Sequence, residues 1–133
     1  DHGMVDVAAH HRISYDEHPE LVAGVELTAG EPRLVQLHLA DPEDEIARRR
    51  LIEAWGECLG DRAWILDRED LLRAGYFGAL REGVRGRIGD LLIAASGELA
   101  LYDLRRVSPL AKGMVGQHGS WTDAERKVPL LAL

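Results

Sequence analysis

Between Arg33 and Leu39 apolar and polar residues alternate. Val35, Leu37 and Leu39 fall on one face, Gln36 and His38 on the other. A period of two predicts a half-buried strand. The period then lengthens: Ile46, Leu51, Ile52, Trp55 and Leu59 recur near helical spacing and form an apolar stripe. Asp41 is placed to cap this helix and Pro42 to occupy its first position, where a missing N–H costs nothing. Glu43, Asp44 and Glu45 put negative charge at the positive end of the helix dipole. Gly60 is placed to end the helix in a left-handed conformation. Trp55 reads as core, and Cys58, beside the stripe, as a small buried hydrophobe.

Shorter runs surround this unit. Arg12–Tyr15 reads as a short strand, followed by the breakers Asp16-Glu17-His18-Pro19. Leu21–Thr28 is a partly β-branched apolar run with Gly24 inside it, and Gly30-Glu31-Pro32 reads as a turn. Ala63–Leu66 reads as a strand. Asp67 then caps a short helix over Glu69–Ala74 that Gly75 stops. Tyr76–Gly89 is rich in glycine and arginine and predicts a loop with one helical turn. Asp90–Ala95 and Glu98–Asp103 are strand-like runs around Ser96-Gly97, a hairpin signal. Ser108–Gly119 reads as loop. Thr122-Asp123-Ala124-Glu125 matches a capping box, Pro129 ends any helix it starts, and Leu130–Leu133 predicts a final strand.

The resulting order, β-β-β-α-β-α-β-β, predicts an α+β fold: a mixed β-sheet with helices packed on one face. Strand, helix and strand across Arg33–Leu66 fit a right-handed crossover. No internal repeat or low-complexity segment interrupts the pattern.

Length and composition narrow the classes. The 133 residues suit one domain with a real core. A net charge of −7 argues against non-specific nucleic-acid binding, which needs clustered lysine and arginine. The longest apolar run, near Leu91–Ser96, is far short of a membrane span. A single cysteine excludes an intrachain disulfide and leans toward a reducing, cytoplasmic setting. The sequence opens on Asp1-His2-Gly3-Met4, a metal-ligand-like pair where chains usually fray. That placement reads as a segment of a longer protein, with a processed mature chain as the alternative.

Six histidines are present. His38 lies on the polar face of a strand. His10, His11 and His18 have no stringent metal-site spacing. Asp1-His2-Gly3 and Gln117-His118-Gly119-Ser120 differ: each sets a ligand type beside a glycine, which removes a side chain that would crowd an ion and permits unusual backbone angles. Carboxylate with imidazole suits zinc or manganese. Arg81, Arg85 and Arg87 could contact phosphate, but read more simply as a solvated loop balancing nearby acids. Trp121 is equally suited to lining a cleft or to anchoring its loop.

Asp1-His2-Gly3-Met4, together with Gly116-Gln117-His118-Gly119-Ser120, Thr122-Asp123-Ala124-Glu125 and Val128-Pro129-Leu130, resembles the alkaline phosphatase superfamily. The branch it looks most like is the type I phosphodiesterase/nucleotide pyrophosphatase family. The resemblance lies at the two ends of the sequence; the middle corresponds only by position, as a variable insertion would. It implies that residues 1–11 and 107–133 belong to a metal-binding core of a larger α/β fold, with 12–106 an inserted α+β subdomain. It implies two divalent ions, zinc or else manganese, with Asp1 and His2 on one and His118 on the other. It implies a phosphate-ester substrate and a serine or threonine nucleophile outside this sequence; Thr28, Ser96 and Thr122 do not stand in its context. Three ligands divided between two ions are too few for catalysis, so the chain alone is expected to be inactive. The competing expectation is a non-catalytic folding or interaction module that could dimerise through open sheet edges.

Overall fold

The computed structural model describes residues 1–131. Among these residues, eight strands are distributed over three sheets. The largest has four, in the order β3 (Val25–Glu31), β4 (Leu34–Leu39), β6 (Leu91–Ala95) and β5 (Ala63–Asp67), with every neighbouring pair antiparallel. Because β4 and β5 both oppose β6, they run parallel to each other. The long helix α1 (Glu45–Leu59) is the crossover between them, and β6 enters later to fill the gap. This is an α+β fold, as the pattern predicts.

Alternation explains why β6 can be central. Leu91, Ile93 and Ala95 join one core with Val35, Leu37 and Leu39 from β4 and Leu51, Trp55 and Leu59 from α1. Leu92 points to the other face, where Leu71 of α2 (Arg68–Arg73) and Ile88 cover it. Trp55 is fully buried, and its indole N–H donates to the Leu21 carbonyl at 3.0 Å, so its one polar atom is satisfied.

Several boundaries differ from the sequence expectation. The cap of α1 is Asp44, whose carboxylate accepts from the Ile46 and Ala47 N–H groups. Asp41 accepts only from Glu43, in the turn before it. Ile46 is 57 % exposed and leaves the apolar stripe. Nine residues at about 100° each place it half a turn from Trp55. The strand β3 runs through Gly30, and the turn falls on Pro32-Arg33 instead.

The expected hairpin at Ser96-Gly97 does not form. Strand β7 (Ala100–Tyr102) leaves the sheet and pairs in parallel with β2 (Arg12–Ser14). A tight two-residue hairpin needs a residue at positive φ, and Gly97 is not among the glycines that adopt one. The Arg33 guanidinium also takes the Gly97 and Leu99 carbonyls, at 2.7 and 2.9 Å, and the chain bends around it.

The segment expected to be loop before His118 holds the short helix α3 (Pro109–Gly113), capped by Ser108, and strand β8 (Gly116–Gln117). That strand pairs antiparallel with β1 (Val5–Asp6), placing Val5 opposite Gln117 and Asp6 opposite Gly116. Leu130 and Leu131 are not in a strand; the rest of the expected final strand lies outside the described residues. Among the described residues no helix is long and apolar enough to cross a membrane.

Candidate metal centre

The β1–β8 ribbon brings together two segments more than a hundred residues apart in sequence. Extended from its register, the ribbon sets Met4 opposite His118, and His2, two residues earlier in the chain, folds its ring onto that of His118. Their rings stack with centroids 4.0 Å apart and planes inclined at 30°. Asp1 lies beside them, its Oδ1 3.9 Å from His2 Nε2, with its side chain 97 % exposed.

The glycine of the first motif has a structural cause. A Cβ on Gly3 would come within 1.8 Å of the Ala124 carbonyl oxygen. Its own N–H donates to the Glu125 carbonyl at 2.8 Å. Gly3 is therefore needed for close backbone approach to α4 (Asp123–Arg126). Gly119 does adopt an unusual angle, φ +121°, and a Cβ there would sit 2.9 Å from the Glu31 Cβ. The unusual backbone angle expected of these glycines is thus found at Gly119 and not at Gly3.

Beneath the histidines lies a buried charge pair that the sequence reading missed. Arg33 is fully buried and Glu125 is 3 % exposed. Arg33 Nε and Nη2 donate to the two Glu125 carboxylate oxygens at 2.7 and 3.0 Å. The same carboxylate accepts from the Ser120 N–H at 3.0 Å and the Thr122 hydroxyl at 2.5 Å. The Ser120 hydroxyl donates to the Ala95 carbonyl at 2.6 Å, tying the loop after His118 to the end of β6. Glu125 accordingly does not reach back to cap α4. Burial pushes its carboxyl up, but Arg33, Thr122 and Ser120 together outweigh burial and hold its pKa below the usual carboxylate range. The only sequence trace of this role was an acid at the third position of a presumed capping box, directly after the His-Gly-Ser segment.

Trp121 is an anchor. It packs on the Leu71, Ile88 and Leu92 cluster and stacks on Tyr76 at 5.0 Å. The other singled-out residues lie apart from His2 and His118. His38 borders an open groove of the outer sheet face with Glu26, Leu27 and Arg87. The His10 and His11 rings lie 4.1 Å apart and are tilted at 59°, and His18 Nδ1 lies 3.6 Å from Glu20. Arg85 pairs with Glu69 at 2.7 Å, in keeping with a loop that balances nearby acids. Cys58 is half-buried against the core, and burial pushes its thiol pKa up. The Thr28 and Ser96 hydroxyls are spent on Asp103 and on the Asp61 carbonyl.

The donor chemistry at the ribbon end fits a divalent ion in part. His2 Nδ1 lies 2.9 Å from the Gly3 carbonyl oxygen. A carbonyl only accepts, so the contact is made by an Nδ1–H, and in the neutral imidazole of that tautomer Nε2 is the nitrogen able to ligate an ion. Asp1 adds a carboxylate next to it. Among the described residues, however, no three histidine, cysteine, aspartate or glutamate side chains converge to hold one ion. What stands here is two donors on one strand end and a third on the facing loop.

No family model and no curated protein matches the sequence. Among solved structures, the fold is similar to part of human ectonucleotide pyrophosphatase/phosphodiesterase 5, with a TM-score of 0.64 and 14 % sequence identity. The likeness covers 94 % of this chain but only 30 % of that one. At this identity the likeness is one of fold.

Proposed function

We propose that this chain is part of a divalent-metal-dependent phosphoric ester hydrolase related to the nucleotide pyrophosphatases and phosphodiesterases. One observation carries the proposal: two segments with ligand chemistry, far apart in sequence, close into one ribbon with His2 against His118. The fold likeness to about a third of a phosphodiesterase chain supports it. Asp1 and His2 would hold one ion, and His118 a second. Residues 12–106, with their own sheet and core, form a subdomain inserted between these segments.

Two imidazoles and a carboxylate favour zinc, with manganese as the alternative. Such ions, when bound, polarise phosphoryl oxygens and stabilise charge on the attacking and leaving groups. This chain's own residues orient donors: the Gly3 carbonyl fixes the His2 tautomer, and the Arg33–Glu125 pair fixes the His118 loop. The remaining ligands and the nucleophile lie outside these residues, so the chain alone is inactive toward a phosphate ester.

The test uses the intact protein, zinc and a nitrophenyl phosphodiester. His2→Ala and His118→Ala should each lower turnover by about 100-fold or more, with weaker zinc binding. Turnover and affinity at wild-type level in both variants would refute the assignment. A second reading, a non-catalytic module that dimerises, draws on the outer edge of β3, unpaired among the described residues, where Leu27 is exposed. Sedimentation at rising concentration separates the two: the module reading requires a dimer, and the hydrolase reading does not.

A further inference from the structure

We propose that the buried Arg33–Glu125 pair is the positioning device of the candidate centre, with Glu125 holding both ligand-bearing segments at once. The proposal rests on the hydrolase reading above and adds two positioning residues to it. Glu125 works through two different groups. Its backbone carbonyl takes the Gly3 N–H, next to His2. Its carboxylate takes the Ser120 N–H, two residues beyond His118. One residue thus spans the joint between the two motifs.

Arg33 fixes that residue to the sheet. It sits in the β3–β4 turn, where Nε and Nη2 grip the Glu125 carboxylate in a two-pronged contact. Nη1 is bound to the Gly97 and Leu99 carbonyls, so the guanidinium cannot swing. The histidine spacing is thereby referred to the rigid four-stranded sheet through a charge pair and not through a flexible loop.

Stability alone is a poor account of such a pair. Removing two charges from water costs about as much as their attraction returns, and well-packed apolar replacements are often neutral. What an apolar pair cannot do is accept the Ser120 N–H or hold a fixed bidentate register. The double variant Arg33→Met, Glu125→Met should therefore keep the fold and lose the histidine geometry. Arg33→Lys keeps the charges opposed but lacks the planar fork, and should weaken that geometry without abolishing it.

The experiment is NMR of the intact protein carrying 13C-labelled histidine, with the nuclear Overhauser effect between the His2 and His118 rings as readout. In the double variant this signal should be lost while the circular dichroism spectrum is retained. Persistence at wild-type strength in either folded variant overturns the proposal. A measurement on the unaltered protein covers the case in which both variants unfold. The Gly3 and Ser120 amides should exchange with deuterium through one shared opening, because one residue holds both. Fast exchange at Gly3 beside a protected Ser120 overturns it equally. Neither readout involves metal. Should His2→Ala leave zinc binding intact while the ring contact depends on Glu125, the hydrolase reading fails and the positioning role stands.

Discussion

Gly3 has no room for a side chain. Substitution by alanine drives a methyl into the backbone of α4, 1.8 Å from the Ala124 oxygen. Gly3→Ala should cost about 2–4 kcal/mol, read by denaturant unfolding, and should separate His2 from His118. Gly24→Ala is the control: its φ is +73° but its surroundings are open, so it should cost about 1–2 kcal/mol. Asp103 makes a second residue-level prediction. The Arg105 guanidinium, against the effect of burial and with the help of Thr28 and the Arg105 N–H, lowers its pKa from 3.8 to about 2. A depressed carboxylate stabilises the fold fully above its unfolded pKa, and that contribution fades as pH falls toward 2. Asp103→Asn should therefore lower stability at about pH 5 more than at about pH 2, and equal losses at both would contradict the ion-pair account. Single residues also mark where sequence reading stops. Asp1, His2 and His118 stood out by type and neighbours. Arg33 and Glu125 did not, because a charged residue in a turn and an acid in a helix start look solvated. Only a contact across 92 positions makes them a buried pair.

At the scale of elements, periodicity sufficed wherever one face of an element is buried. Strand β4 alternates as expected, β5 begins at the predicted residue, and Asp67 caps α2 through the Glu69 N–H. The errors fall at ends and turns, where one hydrogen bond decides. Both Asp41 and Asp44 suit a helix cap, and periodicity does not separate them. The structure assigns the cap to Asp44. Asp44→Ala should cost about 1 kcal/mol in thermal unfolding, and Asp41→Ala only about a few tenths. The reverse order would move the cap back to Asp41. The hairpin at Ser96-Gly97 failed for a reason that no local pattern contains. Its carbonyls are claimed by an arginine on another strand pair, and β7 pairs with β2 instead. The fold class survived these errors, since it depends on which faces are apolar rather than on which neighbours pair.

In the whole molecule two segments distant in sequence, Val5–Asp6 and Gly116–Gln117, meet in the β1–β8 ribbon, and Val7, Ala100 and Tyr102 form a small core beside it. The Val7 N–H donates to the Val115 carbonyl at 2.9 Å, and Arg12 reaches both the Val7 and Lys112 carbonyls. That joint sets side by side the segments that carry Asp1-His2-Gly3 and His118-Gly119. The central claim is that Asp1, His2 and His118 are ligands of two neighbouring ions. The most direct measurement is anomalous diffraction at the zinc edge from crystals of the intact protein. The account predicts two peaks, one about 2.0–2.2 Å from an Asp1 oxygen and His2 Nε2, the other at the same range from a His118 nitrogen. Zinc peaks that leave all three side chains distant from either ion would contradict it.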